Sequence, residues 1–206
     1  TPSPTATPSP TATPSPTATL SPTPETPQQI VFQNGLYPDV GYRGIEDTWI
    51  DGREPGRSHG DEGTLSVGKW GGAGTRRALI KIGDLEAYLP ETARVLSATL
   101  YLHTTGQPLI RLDAIQVLRP WSEGEATWLS PQIGQSWSLA GCSAAADRDV
   151  DAVSQAVASS ALEWRWDLTS LVQKWVARPA ENHGIILMNN LLTDLSRSFA
   201  SSETGA

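Results

Sequence analysis

Val95-Leu96-Ser97-Ala98-Thr99-Leu100-Tyr101-Leu102-His103 decides the fold class. Val95, Ser97, Thr99, Tyr101 and His103 fall on one side, and Leu96, Ala98, Leu100 and Leu102 on the other. This period of two predicts a strand with one face on a core. The same grammar recurs on both sides. Ile30-Val31-Phe32 runs into the turn dipeptide Asn34-Gly35, and Thr64-Leu65-Ser66-Val67 alternates into Gly68 and a glycine-rich loop at 71–74. Ala78-Leu79-Ile80-Lys81-Ile82 is an apolar run suited to a strand covered on both faces. Leu109 to Leu118, Leu162 to Leu168, Gly184 to Met188 and Ser198-Phe199-Ala200 complete the series. Only Leu168 to Ala177 has helical spacing, with Leu168, Leu171, Val172 and Trp175 on one face and Asp167 placed to cap it. Many short strands, frequent turns and one short helix predict an all-β fold, an antiparallel, jelly-roll-like β-sandwich.

That pattern begins at residue 28. Residues 1–27 contain nine Pro, nine Thr, four Ser and three Ala, and Thr1 to Ala18 is Thr-Pro-Ser-Pro-Thr-Ala written three times. Such a segment cannot bury enough apolar surface to offset its ordering entropy. Alternating Pro favours polyproline II, so 1–27 reads as an extended stalk reaching on the order of 80 Å. Thr1, Ser3, Thr5, Thr7, Ser9, Thr11, Thr13, Ser15 and Thr17 are candidate O-glycosylation sites of a mucin-like tract. Residues 28–206 hold all eight Trp and every His, Lys and Arg, enough for one sizeable core. No initiator Met or signal peptide is present and residue 1 falls inside a repeat, so the sequence reads as a processed product or a piece of a longer chain.

Charge and cysteine content exclude several classes. A net charge of −7 argues against a surface that tracks nucleic-acid phosphates. No apolar run approaches the roughly 18 residues needed to span a bilayer. Cys142 is alone, so neither an intrachain disulfide nor a Cys-based zinc site is possible; it stays a free thiol or pairs with another molecule.

Seven segments in order carry a resemblance: 60–68 (GDEGTLSVG), 77–82 (RALIKI), 95–102 (VLSATLYL), 119–128 (RPWSEGEATW), 166–175 (WDLTSLVQKW), 182–187 (NHGIIL) and 199–203 (FASSE). Together they resemble the DNRLRE domain, a secreted bacterial and archaeal β-sandwich module with relatives classed as carbohydrate-binding and found on cell-surface proteins. The resemblance covers nearly all of residues 30–203 and implies an extracellular or cell-surface location. The family usually continues past Ser-Ser-Glu into an Arg-Pro-hydrophobic strand, whereas here only Thr204, Gly205 and Ala206 follow. That departure implies an unpaired sheet edge, which a segment near Gln28 to Phe32 of a neighbouring copy, Ile30, Val31 and Phe32 in particular, could cover.

Candidate chemistry is sparse. His59, His103 and His183 read as solvated or turn histidines, none beside a nucleophile elbow. Glu123 and Glu125 flank a glycine after Trp121, a spacing open to a two-carboxylate glycosidase but read here as structural. Asp147, Asp149 and Asp151 alternate within one loop, and Asp47, Asp51, Asp61 and Glu62 surround the first turns; hard oxygen ligands of this kind suit calcium, and solvated acidic loops are the plainer reading. Trp121, Trp128, Trp164, Trp166 and Trp175 belong to the core, and Trp49 is ambiguous. Trp70 and Trp137, beside polar groups such as Gln135 or Asp61, are candidates for a sugar-stacking platform.

Two expectations follow. The first is a non-catalytic extracellular structural module that self-associates through stalk and sheet edge into a filament, stalk or layer. The alternative is a carbohydrate-binding module tethered by its linker to a polysaccharide-active enzyme.

Overall fold

The computed structural model describes residues 26–70, 74–104, 111–157, 162–189 and 195–204. The stalk repeats and their candidate glycosylation sites lie outside the described residues. The strands are β1 (Ile45–Asp51), β2 (Thr64–Trp70), β3 (Gly74–Ile82), β4 (Thr99–His103), β5 (Arg111–Gln116), β6 (Ser154–Val157), β7 (Glu163–Asp167), β8 (Ile185–Met188) and β9 (Ser196–Ala200). A single turn α1 (Leu85–Tyr88), a helix α2 (Thr169–Ala177) and a 3-10 turn (Pro179–Glu181) accompany them. Seven strands form one curled sheet in the order β6-β5-β8-β3-β2-β9 with β1 paired to β3, while β4 and β7 form a two-stranded sheet. Every strand pair described is antiparallel. The fold is the expected all-β antiparallel sandwich.

The curl originates in β2. Thr64–Gly68 pairs with β9, and Gly68–Trp70 pairs with β3, so one strand belongs to both layers. The bend falls at Gly68, where φ is +121° and a Cβ would lie 2.2 Å from the Leu195 carbonyl oxygen. Only glycine fits that conformation and that approach. A bridge between Thr104 and Phe199, reinforced by the Thr104 hydroxyl donating to the Ser198 carbonyl at 2.8 Å, sets the β4-β7 ribbon beside β9. One layer is thus β1-β3-β8-β5-β6 and the other β2-β9-β4-β7.

Alternation fills the interior. Leu65, Val67, Ala78, Ile80, Leu112, Ala114, Ile185 and Leu187 point between the layers, where Trp49, Trp164, Trp166, Trp175 and Phe199 pack among them. The opposite face of the first layer is also buried: Ile50, Leu79, Ile115, Ile186 and Met188 meet Trp121, Ala126, Trp137 and Cys142 from the long excursion at 118–153. This excursion is a third layer without strands of its own.

Several expectations change at this level. The strand expected over Val95–His103 begins at Thr99, because α2 side chains take the earlier backbone groups: Gln173 Oε1 accepts from Val95 N–H at 2.9 Å and Thr169 Oγ1 from Ala98 N–H at 3.0 Å. Asp167 does accept from the first N–H of α2, Thr169, at 2.9 Å. Ile30–Phe32 is not a strand; the chain turns through Asn34-Gly35 between a Gln33–Tyr37 bridge. The Phe32 ring packs on its own chain, 5.5 Å from Tyr42 and 5.7 Å from Tyr88 by centroid. β9, the last strand described, ends the sheet order beside β2 and meets the end of β4 through the single Thr104–Phe199 bridge.

Cys142 is fully buried, and burial pushes its thiol up to about 12. Because the thiolate is the reactive species, the native protein is expected to resist a thiol-specific disulfide reagent and to react stoichiometrically only in denaturant. Labelling of the native chain within minutes, followed by absorbance, would contradict this placement.

Candidate functional site

With the first layer covered by the 118–153 excursion, the sheet face left open among the described residues is the outward face of β9-β4-β7 and the start of β2. Alternation sends Thr99, Tyr101 and His103 outward from β4, and pairing sets them opposite Asp167, Arg165 and Glu163 of β7. Thr64 of β2 and Ser198 and Ala200 of β9 are exposed in the same layer. Tyr101 is 49% exposed, and the Arg165 guanidinium lies over its ring, 5.2 Å from the centroid. Glu163 Oε1 accepts from Arg165 Nη2 at 2.6 Å, while His103 Nε2 lies 4.0 Å from Glu163 Oε2. The result is an apolar ring held by a planar cation, with carboxylates, an imidazole and hydroxyls around it. Such a surface offers a C–H stacking platform together with directed donors and acceptors.

The aromatic platforms expected from sequence fare differently. Trp137 is 5% exposed, and its Nε1 donates to the Thr127 carbonyl at 2.9 Å. Its ring closes the third layer and presents no open face, so this expectation is corrected; Gln135 beside it remains exposed. Trp70 ends β2, with its backbone paired to Gly74, and its side chain lies outside the described residues. Trp121, Trp164, Trp166 and Trp175 are buried as expected, and Trp49 joins them; Trp128 is half-buried beneath Arg77.

The loop acids do not assemble as expected. Among the described residues Asp147, Asp149 and Asp151 do not converge on a common point. Asp147 is fully buried and engaged by Ser138 N–H, Leu139 N–H and Arg119 Nη1 at 2.9, 3.1 and 3.1 Å. Asp149 accepts from Val150 N–H at 2.7 Å, and Asp151 is exposed. The alternation reflects one anchor followed by a turn, which corrects the calcium assignment at these three residues. Asp51 pairs with Arg76 at 2.9 Å, and Glu62 binds His59 and Arg57 at 2.9 Å each.

The histidines and paired glutamates also separate. His59 is not solvated: it is 2% exposed and stacks on Trp49 at 3.6 Å between centroids. His103 is exposed, and the His183 carbonyl accepts from Trp121 Nε1 at 2.8 Å. Glu125 accepts from Ile133 N–H at 3.0 Å, whereas Glu123 accepts from Asp47 N–H at 2.7 Å. These two carboxylates serve different corners of the third layer. A polar depression of about 240 Å³ lined by Arg43, Glu46, Lys81, Asp84, Glu86 and Asn182 contains no aromatic ring and offers no stacking surface.

Sequence reasoning placed Tyr101 and His103 on one strand face but missed their partners. The signal was present in 162–168, where Glu163, Arg165 and Asp167 alternate with the buried Trp164 and Trp166; only the register joins the two strands.

Among the described residues no helix is long and apolar enough to cross a membrane. No curated protein matches the chain. The family model described as "Carbohydrate-binding module family 96" matches residues 38–206, the whole sandwich and most of the sequence. That match favours the second of the two expectations, the carbohydrate-binding module, and nothing observed supports assembly through Ile30–Phe32. An open, aromatic and hydrogen-bonding sheet face agrees with it, and the chain belongs to carbohydrate-binding module family 96.

Proposed function

We propose that this domain is a non-catalytic module that holds a polysaccharide chain against the outward face of β2-β9-β4-β7, outside the cell or at its surface. In this reading the Pro/Thr-rich residues 1–27 tether it to a polysaccharide-active enzyme. The observation that carries the reading is the Tyr101–Arg165 stack on the sheet face left uncovered. A sugar ring lying on Tyr101 would bury C–H surface on the aromatic face. Arg165, Glu163, His103 and the nearby hydroxyls would then fix its orientation, as a few placed polar groups do in ligand sites. Trp70, where β2 ends, is a candidate second platform.

Affinity electrophoresis across a panel of neutral and uronic-acid polysaccharides tests this. Retardation of the wild type by at least one polymer is expected, with Tyr101→Ala weakening it about tenfold or more, equivalent to about 1.4 kcal/mol. Arg165→Ala is expected to act in the same direction. Tyr101 is half exposed, so its removal is expected to leave the melting temperature almost unchanged. Full retention in Tyr101→Ala would remove this face from consideration and leave Trp70→Ala as the next variant.

A further inference from the structure

Three acidic side chains from distant parts of the chain meet at one corner of the sandwich. Asp47 comes from β1, Glu123 from the turn after Trp121, and Glu203 from the segment that follows β9. One carboxylate oxygen from each lies within 4.8 Å of the others. Oxygens around a single Ca²⁺ at roughly 2.3–2.6 Å from the ion have this mutual spacing.

The surroundings distinguish this cluster from a solvated acidic patch. Asp47 is 5% exposed; its Oδ2 accepts from Ser202 N–H at 2.8 Å, but the buried Oδ1 meets no donor in bonding geometry. The Ser201 and Ser202 hydroxyls donate to Glu203 and also lie close enough to Asp47 to lower its carboxyl, though burial outweighs them and holds it above the ordinary carboxylate value. Among the described residues none of the three carboxylates forms an ion pair. Asp47 is buried, Glu123 half-buried and Glu203 exposed; the buried Asp47 carboxylate has no counter-ion, and its oxygen without a donor adds to the cost of burying it.

The corner is also built closely. Gly60 runs so near Glu123 that a Cβ would sit 2.1 Å from the Glu123 carbonyl oxygen. The Glu123 side chain is tied to β1 through Asp47 N–H, and the terminal turn is tied to Asp47 through Ser202 N–H. The three acids are therefore positioned by packing and backbone hydrogen bonds that do not use the free Oδ1.

We propose that Asp47, Glu123 and Glu203 bind one Ca²⁺ and thereby join β1, the turn after Trp121 and the chain following β9. The donor set is all hard oxygen, without His or Cys, and three carboxylates leave room for water and backbone carbonyls in a coordination shell of six to eight. Mg²⁺ demands shorter, octahedral contacts and gives up water reluctantly, so the corner should favour the larger ion.

The test uses the full chain freed of metal by EDTA and dialysis, with CaCl₂ titration by calorimetry and parallel thermal melts. One ion per chain and a melting temperature higher by several degrees at saturation are expected, because a ligand of the native state stabilises it. MgCl₂ at equal concentration should give a smaller rise. Glu203→Gln, at an exposed position, should keep the ion-free melting temperature and weaken calcium binding at least tenfold, and Asp47→Asn should weaken it further. Absence of saturable heat and of any calcium-dependent melting shift in the wild type would overturn the site. Wild-type affinity in Glu203→Gln would overturn the ligand assignment, and an equal shift with MgCl₂ would overturn the choice of calcium.

Discussion

Trp166→Ala is expected to cost about 3–5 kcal/mol, enough to remove much of the stability of a domain this size. Trp166 is fully buried, and its Nε1 donates to the Leu112 carbonyl at 3.1 Å. Its ring stacks on Trp164 at 5.8 Å and meets Phe199 edge-on at 6.1 Å. It thus ties β7, β5 and β9 together. Alanine would leave a large cavity at the centre of the sandwich and strip the Leu112 carbonyl of this donor. Urea denaturation should show the loss as a lower midpoint with an unchanged slope, and Trp166→Phe should recover part of it. A loss below about 1 kcal/mol would mean that the core closes around the gap.

Asp147→Ala comes next, at about 3 kcal/mol. The buried Asp147 carboxylate accepts from two backbone N–H groups and from Arg119, so its removal leaves three part-buried donors without this partner and a void where the carboxylate sat. Desolvation raises its carboxyl, but the Ser138 and Leu139 N–H groups, the Ser138 hydroxyl and Arg119 together outweigh that and hold it below the ordinary carboxylate value. A depressed carboxylate contributes stability that is present above its unfolded value and lost as pH falls through the folded one. The wild type should therefore lose this increment below about pH 4, whereas Asp147→Asn should start lower and show a shallower acid limb. Thermal melts between pH 3 and 7 decide the matter; parallel acid limbs would show that Asp147 is not an anchor.

Legibility of the sequence followed the physics of each segment. β3 and β8 were readable as apolar runs because both of their faces are buried, and β7 because Trp164 and Trp166 alternate with charge. β1 was not, since Ile45-Glu46-Asp47-Thr48-Trp49-Ile50-Asp51 reads as an acidic loop. Folding buries Asp51 against Arg76 and Asp47 beneath Ser202, contacts that span 25 and 155 residues. No local pattern announces them. The third layer was hidden for a related reason: the excursion at 118–153 buries Trp121, Trp137 and Cys142 without regular elements, so no hydrophobic period marks it. The open face was half legible. Alternation pointed Tyr101 outward, but only the β4–β7 register sets Arg165 beside it.

On the reading proposed for the Tyr101 face, the third layer would also fix the valence of the molecule. With one sheet covered by the excursion and the other open among the described residues, a single copy would grip one polymer strand and anchor without cross-linking. Gathering several strands would take several domains in one chain. Their combined hold would then depend on how closely the intervening tethers confine them, since linker length sets the local concentration of each next contact.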